Sequence, residues 1–389
     1  MIYFSAFGMI NALGRSNAEI AANLTRGVAP GMKRREGWLQ QVPDAMLGGV
    51  DGELPAIPDD FSAHRSRNNQ LLLAALAQIQ PAVDDAIARF GRDRVAVVLG
   101  TSTSGLDEGD KHVDLTLNGQ ASPHWQYAQQ ELGDPSRFLS RWLQLEGPAF
   151  TLSTACSSSA RAIISGRRLI DAGLADVAIV GGADTLSRMP VNGFHSLESL
   201  SASLCQPFAR DRCGITIGEG AALMLLTREP QPLAVLGIGE SSDAYHISAP
   251  HPQGVGATRA IEQALAEAGM TPADVGYINL HGTATPLNDQ IESRVVNALF
   301  GEQTPCSSTK HLTGHTLGAA GITEAALSAL ILQENLPLPP QDFSRSPWDP
   351  ALPPCGILST AQPLTRPVIL SNSFAFGGNN ASILLGRTA

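Results

Sequence analysis

Three short stretches of this chain hold residue types that can do covalent chemistry. "TACSSSARA" places one thiol, Cys156, between a strand-like run that stops at Thr154 and a helix-like run that begins about Ser157. "INLHGTATPLND" places His281 at the end of an apolar run, just before Gly282 and Thr283. "STKHLTGHTLGAAG" places His315 ahead of small residues that open another helical pattern. A thiol at a helix start lies beside unpaired backbone N–H groups and the positive end of the helix dipole, and both favour the nucleophilic thiolate. Ala155, Ser157 and Ser158 leave room for an acyl group and let a substrate carbonyl reach backbone donors. The commoner fate of a cysteine is to pack as a small buried hydrophobe, and the stretch around Cys156 taken alone allows that too. Histidines at strand ends beside glycine often face a cleft, while a lone one there is usually structural or solvated.

Other chemistries find less support. His311 and His315 in "HLTGH" have an i, i+4 spacing that invites zinc. No HExxH glutamate accompanies them, Gly314 interrupts the helix, and no Cys or Asp pair completes a tetrahedral set, so no metal is expected. There is no GxxxxGK[ST] loop and no GxSxG elbow, and "GIGESSDA" lacks the third glycine of a dinucleotide fingerprint. The net charge of −10 argues against a general nucleic-acid surface. Cys156, Cys205, Cys213, Cys306 and Cys355 are odd in number and form no CxxC pair, which reads as reduced thiols in a cytoplasmic protein. The opening "MIYFSAFGMINALG" has neither the basic start nor the long apolar core of a signal peptide. No apolar run reaches the length of a membrane span.

The elements that must position these residues read as α/β, because short apolar runs alternate with longer helical patterns. Helices are expected at 68–89, 157–172, 256–268, 290–299 and 318–333. The strand-like runs are "MIYFSAFG", "RVAVVLGTS", "ADVAIVGGAD" and "GAALMLLTR", then "LAVLGIGES", "VGYINLHG", "GILST", "VILSNSFAFGG" and "ASILLG". The segment "REPQP" divides two halves, 1–230 and 231–389, that echo each other. "VVLGTST" matches "INLHGTAT", "TACSSSA" matches "TPCSSTKHLTGH", and "GEGAALMLL" matches "FGGNNASILL". Chance likeness among α/β units explains these matches about as well as duplication does. The polar stretch 104–146, with no counterpart in the second half, reads as a cap or interface insertion rather than core.

The three stretches, together with "FARDRCGITIGEGAA" and "NSFAFGGNNA", occur in the order and spacing of the elongating β-ketoacyl-acyl-carrier-protein synthases. The chain resembles that family over nearly its whole length, least in the polar insertion and in 37–61. The resemblance implies the thiolase-like fold, two similar halves in a five-layer αβαβα sandwich. It implies that Cys156 carries the acyl chain and that His281 and His315 stabilise the enolate left when malonyl thioester loses CO2. Lys310 would support His315 and pair with Glu324. Phe376 would gate the nucleophile and, with Cys156, supply oxyanion N–H groups. Thr283, Thr285, Phe374 and Gly377 would line the substrate path. The implied partners are an acyl carrier protein, docked at Arg65 and Arg67, and a second subunit, either a copy of this chain or a chain-length-factor-like paralogue. No cofactor is implied, since substrates ride on the carrier's phosphopantetheine. Ala375 stands where the family usually has glycine and Asn379 where it has threonine. These departures point to a specialised pathway, such as aryl polyene or type II polyketide synthesis, over bulk fatty-acid synthesis. A second reading, from another class, is a non-catalytic partner subunit that shapes a sister synthase. A third is a carrier-binding scaffold without turnover. Cys156 with both histidines weighs against the partner-subunit reading, and labelling of Cys156 separates all three.

Overall fold

Strand pairing in the first half of the chain is repeated in the second. The structure is a computed structural model that describes residues 1–40 and 42–388. Its first half runs β1 (Ile2–Ile10), α1 (Asn17–Arg26), β2 (Met32–Glu36), β3 (Asp44–Gly48), α2 (Arg67–Phe90), β4 (Val95–Gly100), α3 (Leu106–Leu117), α4 (Asp134–Trp142), β5 (Ala149–Leu152), α5 (Ser158–Asp171), β6 (Val177–Asp184), α6 (Arg188–Ser196) and β7 (Gly220–Thr227). The second runs β8 (Leu233–Ser242), α7 (Val255–Ala268), β9 (Tyr277–Asn279), α8 (Pro286–Phe300), β10 (Cys306–Ser307), α9 (Lys310–Thr313), α10 (Ala320–Glu334), β11 (Val368–Phe374) and β12 (Asn379–Arg387). The first sheet has the order β5-β4-β6-β7-β1 and the second β10-β9-β11-β12-β8. In each, three parallel strands are followed by two antiparallel ones. The sheets meet through a short antiparallel contact of Ile2 and Tyr3 with Val235 and Ala234, so that ten strands form one ladder.

The layers follow from which faces are apolar. β4, β6 and β7 are buried along their whole length, the pattern of strands covered on both faces. α2 and α4 cover the outer face of the first sheet, α7 covers that of the second, and α5 and α10 pack together between the sheets. α10 sits deepest: every residue from Ala320 to Leu332 is buried, so the one acid in that run, Glu324, must find a partner inside the protein. The contact of α10 with α5 is close enough that a Cβ on Gly321 would stand 2.7 Å from Ala160.

Three expectations change. The stretch 104–146 is not only a cap. α4 buries Phe138 and Leu139 completely in the core shared with α2 and β4, because its apolar residues lie on one face and its polar ones average out only in composition. The run 356–360 is irregular apart from an isolated bridge of Ile357 to Cys306. Third, α2 contains an 18-residue window of mean hydropathy 1.3, long and apolar enough to cross a membrane by length and composition. Here its Leu71, Leu72, Leu76, Ile79 and Val83 are buried in the core against the first sheet.

Candidate active site

Cys156 lies in the turn between β5 and α5, beside Ala155, whose φ of +51° is left-handed. That conformation costs an L-residue about 1–2 kcal/mol and must be held by its surroundings. The neighbouring serines hold it. Ser158 Oγ donates to Ala155 O at 2.6 Å and accepts from Thr154 N at 2.8 Å, and Ser157 Oγ donates to Thr154 O at 2.9 Å. The N–H groups of Ser157 and Ser158 close the same turn on Thr154 O and Ala155 O. They are therefore not the donors that meet the sulfur. The amides of Phe376 and of Cys156 itself do that.

The expected resting thiolate is corrected accordingly. Burial pushes the Cys156 thiol up to about 11, against the pull of the Lys310 charge and those two amides. The helix start was legible in the sequence, but the dehydration of the site was not, and dehydration wins.

His281 follows β9. Its backbone N–H and that of Gly282 each donate to the buried Glu292 at 2.7 Å. Gly282 has a φ of +36°, and a Cβ there would stand 2.4 Å from Ser308 Cβ, so this position takes only glycine. His315 is bridged to Ile217, with its N–H on Thr216 O at 2.7 Å. The hydrogen bonds assign the tautomers. Leu317 N–H donates to His315 Nδ1 at 3.1 Å, and the Lys310 ammonium lies 3.4 Å from His281 Nδ1. Both Nδ1 atoms are therefore acceptors, and both rings carry their proton on Nε2. Burial, with Lys310 beside them, holds both rings well below the ordinary histidine range, so they stay neutral. The rings stand edge to face with centroids 5.5 Å apart. Cys156 Sγ and one nitrogen of each ring all lie within 4.8 Å of one another.

Such a trio has the atom types of a metal site, but its outer contacts are reversed. A ligating histidine offers a bare nitrogen to the metal and donates its other N–H outward. Here each Nδ1 accepts, which leaves the proton on Nε2 and no bare nitrogen there for a metal.

The Lys310 charge acts on His315, as expected, but its direct contacts are with His281. Its ammonium contacts the ring and the carbonyl of His281, not His315, and it pairs with Glu324. Both partners of this ion pair are buried. Burial raises the Glu324 carboxyl to about 7 while Lys310 draws it down. Lys310→Met leaves a buried acid unpaired and is expected to cost about 3 kcal/mol of stability in denaturant unfolding. The double variant Lys310→Met with Glu324→Leu should recover most of that loss without recovering activity, because the contact with His281 stays missing.

A cavity of about 360 Å³ opens over the trio. Cys156, His281, His315, Thr283, Thr285, Phe374 and Phe376 line it, together with Ala249, Pro250, Leu287, Phe194, Leu197 and Ile215. Lys310 and Glu324 stand behind it. Gly377 is not in the lining; it is exposed, has a φ of +82°, and donates its N–H to Ile247 O at 2.7 Å. Phe376 packs on Phe194 with centroids 5.8 Å apart. Ala375 has ordinary extended angles (φ −100°, ψ 155°), so its methyl adds no backbone strain to the loop. Asn379 accepts from Arg161 through its side-chain oxygen at 3.1 Å.

Arg67 is about as exposed as Arg65, but its guanidinium is committed to partners inside the protein. It clamps the buried Glu219 through two nitrogens at 2.6 and 2.9 Å and reaches Val50 O at 2.7 Å. Arg65 pairs with Asp59, which is almost fully exposed, at 2.6 Å. The role of Glu292 was not anticipated, although the acid stands in the quoted neighbourhood of His281. Phe194, Leu197 and Ile215 were missed as well, because only the fold brings 194–215 to Cys156.

Comparison with known proteins agrees with this geometry. A family model described as "Beta-ketoacyl synthase, N-terminal domain" matches residues 53–231, and "Beta-ketoacyl synthase, C-terminal domain" matches 233–343. The 3-oxoacyl-[acyl-carrier-protein] synthase 2 of Rhizobium meliloti (strain 1021) is 32% identical over 99% of this chain and 98% of its own length. A chain from the solved structure "Ketosynthase (ApeO) in Complex with its Chain Length Factor (ApeC)" from Xenorhabdus doucetiae is 67% identical, with a TM-score of 0.98 over 100% of this chain and 98% of that one. A chain from "The ishigamide ketosynthase/chain length factor" is 26% identical, with a TM-score of 0.88 over 100% of this chain and 99% of that one. With most of its length matched by both domains and its thiol facing two histidines, the chain belongs to the β-ketoacyl synthase family.

Proposed function

We propose that this protein is a working ketosynthase, an acyltransferase that joins an acyl chain to a malonyl unit on acyl carrier protein. The observation that carries the reading is the convergence of one thiol and one nitrogen of each of two neutral histidines within 4.8 Å, on the lining of a cavity. Cys156–SH exchanges with an acyl thioester, giving acyl-cysteine and free carrier thiol. The amides of Cys156 and Phe376 hold the oxygen that becomes negative as the sulfur attacks. Malonyl thioester then enters and loses CO2, and the His281 and His315 N–H groups stabilise the enolate oxygen. The enolate carbon attacks the acyl-cysteine, the C–S bond breaks, and the sulfur takes up a proton. Thr283, Thr285 and Phe374 border the path. Phe376, on a loop with two glycines at positive φ, Gly377 and Gly378, serves as the gate. No cofactor enters any step.

Incubation with a panel of acyl carrier thioesters tests this. Mass spectrometry should find the acyl group on Cys156, and added malonyl carrier should then yield CO2 and the β-ketoacyl product. An acyl group on Cys205, Cys213, Cys306 or Cys355 would overturn the assignment. The non-catalytic partner reading would need an inert Cys156.

The finer proposals concern setting and partners. The enzyme works in the cytoplasm, in a specialised polyene or polyketide pathway, beside a chain-length-factor-like subunit. The likeness to a chain of a ketosynthase–chain length factor complex supports that partner. So do the edge position of β5 and the exposed Phe150, Val113 and Leu117. Carrier docking falls to Arg65, since a carboxylate at position 67 would face buried Glu219. Arg65→Glu is expected to raise the apparent KM for carrier-bound substrate about threefold at low salt and to leave a small pantetheine thioester unaffected. Equal losses on both substrates would remove Arg65 from the docking face.

A further inference from the structure

Asp184, at the end of β6, has no part in the chemistry described so far. It is fully buried, and five donors converge on its carboxylate. Oδ1 accepts from Thr101 Oγ1 and Ser102 N at 2.8 Å, from Thr103 N at 2.7 Å and from Thr103 Oγ1 at 2.6 Å. Oδ2 accepts from Ala319 N at 2.9 Å. Three of the five are backbone amides, which cannot reverse direction. Asp184 therefore ties the loop after β4, in the first half, to the turn 316–319, in the second.

That turn sits between His315 and α10. Leu317 within it has a φ of +51°, a conformation that a leucine does not hold without help. The turn is also pressed onto Asp184. A Cβ on Gly318 would lie 2.7 Å from Ser102 N and 2.8 Å from Asp184 Oδ2. The strained residue is the one whose N–H meets His315 Nδ1, and among the described residues this is the one hydrogen bond to that ring. The His315 backbone is held separately, by Thr216 and Gly218. The ring's proton and the ring's backbone thus depend on different contacts.

We propose that Asp184 is the positioning residue that places the His315 proton. Its carboxylate pins the 316–319 turn, and the turn aims the Leu317 amide at Nδ1 so that Nε2–H faces Cys156. The inference rests on the condensation reading above, in which that N–H meets the enolate oxygen. Asp184→Asn has nearly the same shape but one acceptor where there were two. Its amide group must turn a donor toward either Ala319 N–H or the Ser102 and Thr103 amides. Gly318→Ala reaches the same turn from the other side without changing any charge.

The test compares wild type, Asp184→Asn and Gly318→Ala in three measurements. These are acyl loading on Cys156, CO2 release from malonyl carrier, and the nitrogen-15 shifts of the His315 ring, which report the tautomer. Loading should stay within about twofold, while CO2 release falls roughly 10- to 100-fold, the scale of a misplaced catalytic group. The ring should change from a single Nε2–H form to a mixture. Folded variants that keep both the tautomer and CO2 release overturn the proposal. So does an equal fall in loading and CO2 release with an unchanged ring, which marks a purely structural role. If Asp184→Asn does not fold, Gly318→Ala decides by the same criteria. A wild type that neither loads nor decarboxylates would remove the condensation reading, and the ring shifts would still decide what Asp184 does.

Discussion

Cys156→Ala is expected to abolish condensation, by at least roughly 10⁴-fold, and to leave no covalent acyl group anywhere on the protein. No other cysteine can substitute. Cys205 and Cys306 are buried away from the cavity, and neither Cys213 nor Cys355 lines it. Malonyl decarboxylation should survive the substitution, because the enolate needs the two Nε2–H groups and not the sulfur. The measurement is intact-protein mass after acyl loading, run beside CO2 release from malonyl carrier. A variant that still carries the acyl chain would refute the assignment of the nucleophile. Loss of CO2 release along with loading would show instead that the thiol has a part in both half-reactions.

His281→Ala and His315→Ala should each lower malonyl decarboxylation by roughly 10²–10³-fold, the loss seen when one preorganised donor to a developing oxyanion is removed. Acyl loading should change far less, since the enolate exists only in the second half-reaction and catalysis comes from contacts made in that transition state. The pH dependence follows from burial. Protonating the outer nitrogen would leave Nε2–H in place but charge the ring and remove the Nδ1 acceptor that meets Leu317 N–H or the Lys310 ammonium. Both rings titrate well below the ordinary range, so no histidine-controlled fall in rate is expected between about pH 8 and pH 6. A bell with an acid limb near the ordinary histidine value in the wild type, absent from either variant, would show that a ring is charged in the working enzyme. Collapse of loading with decarboxylation intact would reverse the roles assigned here.

Much of the architecture is legible in the chain because it is written in local periodicity. Continuous apolar runs such as "VAIVGGAD" mark strands covered on both faces, and the largely apolar α10 marks a helix between two sheets. The matching order of motifs in the two halves is repeated in the strand order of the two sheets. Periodicity fails where a segment is short or its polarity is split by face. "GILST" has a strand's composition but gains only a single bridge, and α4 hides Phe138 and Leu139 in a stretch that looks polar on average.

The sequence by itself determined the reacting residues of the site. It named a thiol at a strand-to-helix turn and two histidines beside glycines, and the family resemblance added Lys310 and Glu324. Tertiary structure alone decided their chemical states, because protonation depends on what long-range folding removes from water and sets alongside. Burial turns the expected thiolate into a thiol pushed up to about 11. Lys310 lies against His281 and not His315, since α9 and the end of β9 meet only across the sheet. Arg67, expected to meet a carrier, is committed to Glu219, 152 residues away in the chain. The His315 proton depends on Leu317, Gly318 and Asp184, which come together only when the two halves close on each other.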